Sequence, residues 1–345
     1  MSLFKKPSDI KVGCIGYGAT ANSIMGRLHL QGMQKAGMTP AAVCEITPER
    51  LKVAEQEFPG IKTFTNVADM LKNSDVNLLA IITPHNTHAP LALQCLKAGR
   101  HVVCEKPMAI TTAECDKLIA EAAKRKLVVS TYHNRHWDGQ ITETLKHVEA
   151  GEIGKVVRIE ARFPYGYCKP GDSWRSSKSK SGGILYDWGV HIIEWALQIA
   201  KSDITEVSGY AHYGFWETAW KGDSNEDEAT AVVRFKNGIV LTLRLSHLDC
   251  HEKPDILNVI GTKGQYSFDW MGWYLTTHPV LGETKIFKGK NPPDDHPKYY
   301  QNICDHLVKG TPLVITGEYA RRPIHILDLA SKSAKLGKAL PAKYK

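Results

Sequence analysis

A glycine-rich turn directly after a short apolar run constrains the fold of this chain more than any other stretch. Residues 11–16 read as a buried strand, and residues 16–21 (Gly-Tyr-Gly-Ala-Thr-Ala) match the G-x-G-x-x-G/A pattern. In that pattern the first glycine makes a tight turn, the second lets the backbone approach a pyrophosphate, and the small third residue lets a helix pack on the strand. A helical pattern follows and ends near Gly37, so its first N–H groups would face the phosphates. The predicted cofactor contacts in this turn are Gly16, Tyr17, Gly18, Ala19, Thr20 and Ala21.

Short apolar strands alternate with helices through the rest of the first 132 residues. Further strands are predicted at 41–44, 77–82, 101–104 and 128–131, and further helices at 89–97 and 111–126. Thr111 and Glu114 have the spacing of a capping box at the start of the last of these helices. A strand–helix–strand order repeated in this way indicates a doubly wound parallel sheet. We therefore predict an α/β Rossmann domain over residues 9–132, with its ligand beyond the carboxyl ends of the strands.

Glu45 follows the second predicted strand, where an acidic side chain would hydrogen-bond the adenosine ribose of a dinucleotide. Its carboxylate would repel a 2′-phosphate, which favours NAD over NADP as the cofactor. Arg50 lies nearby and could accommodate that phosphate, so NADP stays open as the alternative. The other interpretation of Glu45 is a solvated loop acid.

Polar residues also follow the strand at 77–82. Thr83, Pro84 and His88 would lie at the cofactor edge of the sheet. His85 and His88 are three residues apart, which is a spacing that metal ligands can have. No third ligand and no cysteine pair lies nearby in the sequence, so we expect no metal site.

The strand at 101–104 ends in a charged pair, Glu105 and Lys106, before Pro107. A lysine at the carboxyl end of a strand can lean into a cofactor cleft, where partial desolvation would lower its pKa and suit it for proton chemistry. The alternative is an ordinary surface ion pair after a strand.

After residue 132 the pattern becomes that of an antiparallel sheet. Residues 138–150 are helical, and 156–163 alternate between apolar and polar side chains. Asn237-Gly238 separates two matching strands and is a strong hairpin signal. We predict an α+β domain over residues 133–345 with a large, mostly antiparallel open sheet. One face of that sheet would pack on helices, and the other would stay exposed unless it met another subunit, which predicts a homodimer or homotetramer.

A helix is predicted to begin near Asp187, which places Asp187 and His191 on one helix face. A carboxylate beside an imidazole raises the pKa of the histidine and orients the ring, and such a histidine can act as a general acid/base. The alternative is a helix N-terminal acid, favoured by the helix dipole, beside an unrelated core histidine. Gly189 favours the functional interpretation, because a glycine inside a helix costs about 1 kcal/mol and suggests that a group packs close to it.

The bulk composition excludes several classes of protein. The net charge is +8, but the last fourteen residues hold five lysines and no acid, and no basic stripe is interleaved with aromatic residues. We therefore expect no nucleic-acid partner. No apolar run has the length of a membrane span, and the first residues lack the apolar core of a signal peptide. The spacing of the eight cysteines argues against a zinc ribbon or a disulfide scaffold, which favours a cytoplasmic protein.

Taken together, these motifs resemble the Gfo/Idh/MocA family, named for glucose–fructose oxidoreductase and inositol dehydrogenase. The resemblance rests on the glycine-rich turn, on Thr83-Pro84 with His88, on residues 98–107, and on the Asp-x-Gly-x-His core within residues 182–194. It extends to residues 134–138 and 319–322, and therefore covers nearly the whole chain.

The resemblance implies an NAD(P)-dependent oxidoreductase that transfers a hydride between nicotinamide C4 and a secondary alcohol or ketone of a sugar, cyclitol or related polyol. By matching position, Lys106, Asp187 and His191 are the catalytic set. His191 would move the hydroxyl proton, Asp187 would orient His191, and Lys106 would hydrogen-bond the reacting oxygen or share the proton transfer. The family often has a cis bond before the proline that corresponds to Pro107. The resemblance adds Glu105, Lys106 and Asn134 to the predicted cofactor contacts.

Two positions depart from the family pattern. His85 stands where many members have asparagine, and Glu194 stands where aspartate is common, so the family's substrate specificity does not carry over. The segment 165–180 is rich in aromatic and basic residues. We predict that Tyr165, Trp174 and Arg175 contact the substrate, because aromatic walls stack on the C–H faces of sugars.

Two other functions stay open at the level of the sequence. A redox-neutral glycosidase would oxidise a sugar transiently with bound NAD and cleave its glycosidic bond by elimination, without net formation of NADH. A non-catalytic cofactor-sensing regulator would not need Lys106 or His191, and both are present.

Overall fold

The computed structural model describes residues 3–18, 24–251, 255–278 and 282–342, which form two compact units. The first unit contains the chain up to Asn134 together with Pro297–Arg321, and the second contains Arg135–His296 together with the chain from Arg322. This differs from the predicted division into 9–132 and 133–345, because residues 297–321 return to the first unit. A helical pattern shows which face of a helix is apolar, but not which core that face joins.

The sheet of the first unit has six parallel strands in the order β3-β2-β1-β4-β5-β6. They are β1 (Lys11–Ile15), β2 (Thr39–Cys44), β3 (Lys62–Phe64), β4 (Leu78–Ile81), β5 (His101–Cys104) and β6 (Val129–Thr131). This order confirms the predicted doubly wound sheet, and its direction of winding reverses between β1 and β4, which is where such folds bind their ligands. β3 was not predicted, because it has only three residues and none of them is fully buried.

Five helices connect these strands: α1 (Met25–Lys35), α2 (Pro48–Glu57), α3 (Val67–Asn73), α4 (His85–Lys97) and α5 (Thr112–Arg125). The capping box of α5 is confirmed, since Thr111 Oγ1 accepts from Glu114 N (3.2 Å) and Glu114 Oε2 accepts from Thr111 N (3.0 Å). α4 begins at His85, four residues before the predicted start at 89. The sequence favoured the later start because proline is best tolerated in the first turn of a helix, whereas Pro90 lies inside α4.

Among the described residues, the second unit contains a nine-stranded sheet of order β14-β13-β12-β11-β7-β10-β9-β8-β15, the helices α6 to α8, and most of a C-terminal helix described below. The helices are α6 (Gly139–Glu149), α7 (Lys178–Ser181) and α8 (Gly189–Ala200). The strands are β7 (Val156–Pro164), β8 (Ile204–His212), β9 (Glu228–Phe235), β10 (Val240–Ser246), β11 (Leu257–Gly261), β12 (Gly264–Phe268), β13 (Gly272–Thr277), β14 (Lys285–Lys290) and β15 (Leu340–Pro341). Neighbouring strands are antiparallel except β7 and β10, which are parallel, so the predicted α+β architecture is confirmed.

One face of this sheet packs on α6 and α8, and α8 is buried along nearly its whole length. Ala231 and Val233 of β9 lie opposite Leu243 and Leu241 of β10 on that inner face, across the turn at Asn237-Gly238. The φ angle of Gly238 is +91°, which suits glycine in this turn.

The opposite face of the sheet is polar at its centre. Arg158 and Glu160 of β7 form an exposed ion pair there, and Thr230, Thr242 and Arg244 lie beside them on β9 and β10. The face that was expected to stay exposed in a single chain is therefore polar in this central region.

The C-terminal part adds two helices, α9 (Lys298–Lys309) and α10 (Gly317–Leu336). α9 lies in the first unit and packs against α1, and α10 is divided between the units at Arg321. In the parts of the chain that the structure describes, no helix is long and apolar enough to cross a bilayer.

Candidate functional site

The glycine-rich turn leaves β1 at the carboxyl edge of the parallel sheet. The φ angles of Gly16 and Gly18 are +89° and +83°, and a Cβ atom on Gly16 would lie 2.0 Å from the carbonyl oxygen of Ile82. Only glycine fits at position 16. A Cβ on Gly26 in α1 would lie 2.5 Å from the Tyr17 carbonyl oxygen, so Gly26 lets the helix approach the turn closely. That role was predicted for Ala21.

Three of the predicted contacts in this turn, Ala19, Thr20 and Ala21, lie outside the described residues. Their contact with a cofactor stays a prediction.

Glu45 lies directly against this turn at the end of β2 and is 5% exposed. Its Oε2 accepts from Tyr17 N (3.0 Å) and Gly18 N (3.3 Å), and its Oε1 accepts from Thr47 N (3.2 Å). Burial by itself would raise the pKa of Glu45, but these N–H donors and Arg50, 3.5 Å away, lower the pKa below its usual range. Glu45 is therefore an ionised carboxylate held beside the turn, and its interpretation as a solvated loop acid is wrong.

His88 lies in the first turns of α4 and is fully buried. Its Nδ1 lies 2.7 Å from the Pro107 carbonyl oxygen and its Nε2 lies 2.8 Å from the Thr83 carbonyl oxygen. Burial lowers the pKa of His88. Both ring nitrogens face backbone carbonyls, so His88 joins the segment after β4 to the segment after β5. The cofactor contact predicted for His88 stays a prediction.

The segment after β5 carries Glu105, Lys106 and Pro107, and the peptide bond between Lys106 and Pro107 is cis, as predicted. The side chain of Glu105 is only 12% exposed. Its Oε1 accepts from His29 Nε2 (3.0 Å) and its Oε2 accepts from Lys106 N (2.8 Å). A surface ion pair would not be buried and bonded in this way, so that alternative is wrong for Glu105.

Asn134 follows β6 and begins a short 3₁₀ helix, Asn134–Trp137, as the last residue of the first unit before the chain enters the second. Thr83 and Pro84 lie between β4 and α4, at the carboxyl end of β4. The first unit therefore brings most of the predicted cofactor contacts within the described residues to one edge of its sheet. These residues are Gly16, Tyr17, Gly18, Glu45, Thr83, Pro84, Glu105 and Lys106.

In the second unit, Asp187 lies between a 3₁₀ turn, Ile184–Tyr186, and α8. α8 begins two residues later than predicted, because Asp187 has ψ of −79° and Trp188 caps the helix. His191 is in the first turn of α8 and is 5% exposed. The Asp187–His191 contact stays a prediction.

Tyr165 holds Asp187 from the end of β7. Burial first, and then the negative charge of Asp187, raise the pKa of Tyr165 far above its usual range. The hydroxyl is therefore protonated, donates to the Asp187 carboxylate and accepts from Trp188 N–H. Its ring stacks on His247 at 4.4 Å between centroids. The substrate contact predicted for Tyr165 stays a prediction, and the structure adds a bond from Tyr165 to Asp187.

An aromatic cluster, defined here as Phe163, Trp188 and Trp270, lies beside Asp187. Phe163 and Trp188 are stacked at 4.3 Å and 10°, and Trp270 meets Trp188 edge-on at 5.4 Å. The Arg135 guanidinium lies 4.7 Å from the centre of the Trp188 ring. Trp270 is 48% exposed, so the cluster presents an aromatic surface to solvent.

The predicted pair Trp174 and Arg175 lies on a separate short 3₁₀ helix, with the Arg175 guanidinium 4.5 Å from the Trp174 ring centre. Sequence reasoning missed Trp188, Trp270 and Arg135. Trp188 lies within the Asp-x-Gly-x-His core and could have been singled out, whereas Trp270 comes from the β12–β13 turn and has no local signal.

Asp138, Asp294 and His296 form a cluster of potential metal ligands in the second unit. Asp138 already accepts from His296 Nε2 (2.6 Å), Arg135 Nη1 (3.1 Å) and Gln140 Nε2 (3.3 Å). Because protein donors satisfy this buried carboxylate, the cluster is explained as a hydrogen-bond network.

The parallel sheet, the turn and Glu45 are those of an NAD-binding oxidoreductase with a Rossmann fold. A family model described as an oxidoreductase family with an NAD-binding Rossmann fold matches residues 10–133. A second, described as the GFO/IDH/MocA C-terminal domain, matches residues 141–267. The chain belongs to the Gfo/Idh/MocA family, which confirms the resemblance, and it is an NAD(P)-dependent dehydrogenase that acts on CH–OH groups.

Several relatives match almost the whole chain. YdgJ of Escherichia coli (strain K12), an uncharacterized oxidoreductase, is 30% identical across 95% of this chain and 97% of its own length. Myo-inositol 2-dehydrogenase of Thermotoga maritima is 27% identical across 94% of this chain and 96% of its own. The crystal structure of an oxidoreductase domain protein from Kribbella flavida has a TM-score of 0.82 at 22% identity and covers 99% of this chain and 100% of its own, which shows a shared fold.

Proposed function

We propose that this dehydrogenase oxidises a secondary hydroxyl, or reduces the corresponding ketone, of a sugar, cyclitol or related polyol. The observation that carries the proposal is the arrangement at Asp187. Tyr165, which is half-buried, holds this carboxylate at the entry to α8, one turn before His191, and the next residue, Trp188, packs against the exposed ring of Trp270. Aromatic rings stack on the apolar C–H faces of sugars, and a polyol needs a proton-transferring group at its reacting hydroxyl. The myo-inositol dehydrogenase among the relatives agrees with a cyclitol substrate.

The residues of the first unit fit a dinucleotide. The backbone at Gly16 is packed so closely that no Cβ atom would fit there. At the end of β2, Glu45 supplies an ionised acceptor for ribose hydroxyls. The same negative charge would repel a 2′-phosphate, so we propose NAD in preference to NADP. When bound, the cofactor accepts or returns a hydride at nicotinamide C4.

In the proposed mechanism three side chains of this chain act on the substrate hydroxyl. His191 takes the hydroxyl proton as the carbon loses its hydride, which leaves a ketone, and returns the proton in the reverse direction. Asp187, held by Tyr165, orients His191. The Lys106 ammonium donates a hydrogen bond to the reacting oxygen and stabilises the negative charge that develops on it.

The test is a screen of sugars and cyclitols for NADH formation, followed by Lys106→Ala and His191→Ala. Loss of a general acid/base lowers kcat by roughly 100-fold or more, and we expect this of both variants. Lys117→Ala and His212→Ala are matched controls, because both residues are exposed and lie away from the sheet edge and α8. Full activity in both site variants would refute the catalytic assignment. Turnover of a glycoside without NADH formation would assign redox-neutral cleavage instead.

We also propose that the polar open face of the second sheet joins two or four copies of the chain, since pairing would cover the centre of this broad sheet. Thr242→Arg, at the centre of this face, would reduce the mass measured by analytical ultracentrifugation to that of a single chain. A single-chain mass for the unaltered protein would refute the proposal.

A further inference from the structure

A chain of hydrogen bonds runs beneath the segment that carries Lys106. It begins at the hydroxyl of Tyr300 on α9, passes through the ring of His29 on α1, and ends at the carboxylate of Glu105. Tyr300 and His29 are buried. Glu105 in turn accepts from the backbone N–H of Lys106 at 2.8 Å. All four residues belong to the first unit.

The protonation states of Tyr300 and Glu105, at the two ends of this hydrogen-bond chain, follow from their surroundings. Burial raises the pKa of Tyr300 well above its usual range, so its hydroxyl stays protonated. Burial by itself would raise the pKa of Glu105, but the bonds from His29 and Lys106 lower it, so the carboxylate stays ionised. Because an ionised carboxylate only accepts, His29 Nε2–H donates to Glu105 Oε1, and His29 Nδ1 is hydrogen-bonded to the Tyr300 hydroxyl.

We propose that His29 and Tyr300 are positioning residues for Lys106, acting through the carboxylate of Glu105. This inference rests on the proposed catalytic role of Lys106. Each oxygen of Glu105 has a donor at hydrogen-bond distance, one on His29 and one on the Lys106 backbone. Tyr300 fixes the orientation of the His29 ring, and His29 in turn fixes the orientation of the Glu105 carboxylate. That carboxylate then holds the peptide N–H of Lys106 in one position.

A second anchor restrains the same segment from its other end. The Pro107 carbonyl oxygen lies 2.7 Å from His88 Nδ1. The backbone on either side of the Lys106 side chain is therefore tied to a buried histidine, one on α1 and one on α4. Precise placement of this kind matters because small displacements of a catalytic group lower the rate steeply.

The chain offers a matched control next to Tyr300. Tyr299 is equally buried and also carries a hydrogen-bonded hydroxyl, but this hydroxyl lies 2.8 Å from Ser130 Oγ. Replacement of either tyrosine by phenylalanine removes one buried hydroxyl and keeps the ring. The two variants share the cost of that loss, about 1 kcal/mol of folding free energy, and differ in whether the link to Glu105 is broken.

The experiment compares Tyr300→Phe with Tyr299→Phe, and His29→Leu with His29→Gln. Amide hydrogen exchange of the peptide that contains Lys106 is measured first, because it needs neither substrate nor cofactor. We expect exchange there to be about 10-fold faster in Tyr300→Phe and His29→Leu, and unchanged in Tyr299→Phe. His29→Gln should recover part of the protection, since a glutamine amide can still donate to Glu105.

Steady-state kinetics is the second readout, with NAD and whichever cyclitol or sugar gives the fastest NADH formation. We expect kcat to fall about 10-fold in Tyr300→Phe and His29→Leu with the KM for NAD unchanged, a split that a general loss of stability would not produce. Equal exchange and equal kcat in the two tyrosine variants would overturn the positioning role. If instead Lys106→Ala keeps full activity while the exchange result holds, the catalytic assignment fails and the hydrogen-bond chain is a structural support only.

Discussion

His101 makes the stability of the first unit depend on pH. It is the first residue of β5, and its Nδ1 accepts from Val128 N at 3.0 Å. Burial, followed by the positive charge of His306, lowers the pKa of His101 from its usual 6.5 to about 4. Protonation would place an N–H where the ring now accepts one, so the folded state strongly favours the neutral ring.

This shift of pKa fixes the sign and the size of the effect. Below pH 6.5 His101 is protonated in the unfolded chain but stays neutral in the folded chain. Its contribution to the free energy of unfolding is therefore fully present above pH 6.5 and is lost as the pH falls towards 4. Each unit of pKa is worth about 1.4 kcal/mol, and a shift from 6.5 to about 4 therefore corresponds to about 3 kcal/mol. Acidification over this range should remove that much of the free energy of unfolding of the first unit.

The assay compares the unaltered chain with His101→Asn. The Oδ1 atom of asparagine can take the place of Nδ1 as the acceptor for Val128 N, but it does not titrate. Urea unfolding, followed through hydrogen exchange of peptides from β5 and β6, is measured at several pH values between 7 and 4. We expect the stability of the unaltered chain to fall by about 3 kcal/mol more than that of the variant over this range. Parallel pH profiles for the two proteins would refute the reasoning.

Three further outcomes follow from the site and its supports. Glu45→Gln should weaken NAD binding about 10-fold and reduce the preference for NAD over NADP, since a charged acceptor is worth about 1.5–3 kcal/mol. Titration calorimetry with both cofactors measures the two affinities, and an unchanged preference for NAD would contradict the prediction. Gly16→Ala should abolish NAD binding, because the new Cβ would lie 2.0 Å from the Ile82 carbonyl oxygen; retained binding would show that the turn can shift. Thr111→Ala should lower the free energy of unfolding in urea by about 1 kcal/mol through loss of the cap on α5. A change under about 0.3 kcal/mol, which is within the scatter expected of a surface substitution, would count against this.

Local patterns predicted most of the first unit. Most of its strands are short apolar runs, of which β1, β2 and β5 are followed directly by glycine or glutamate, and α5 carries a recognisable cap at Thr111. β3 was not predicted because Lys62–Phe64 is short and half exposed. This strand is stabilised by its pairing with β2, which its own residues do not indicate. The return of α9 to the first unit was not predicted, because an amphipathic helix can pack equally well on any apolar surface.

The candidate site divides in the same way. Gly16, Glu45 and Lys106 were predicted because each directly follows a strand, and the edge of a parallel sheet collects such residues. Tyr300 and His29 were not, because they are 271 positions apart in the sequence and neither lies next to a motif. Residues that hydrogen-bond to the members of a site come from whichever helices and strands pack against it. A single sequence does not show which elements pack together.

The place of α9 in the first unit has a consequence for how the protein is made. Chains emerge from the ribosome from the N-terminus at roughly 5–20 residues per second, and domains generally fold as they emerge. The parallel sheet can begin to form once Asn134 has been released, but Tyr300 emerges only after residues 135–296 of the second unit. A chain interrupted before α9 would therefore hold His29 and Glu105 without the hydroxyl that orders them. The cofactor-binding unit is thus completed only after residues 135–296 of the second unit have been synthesised.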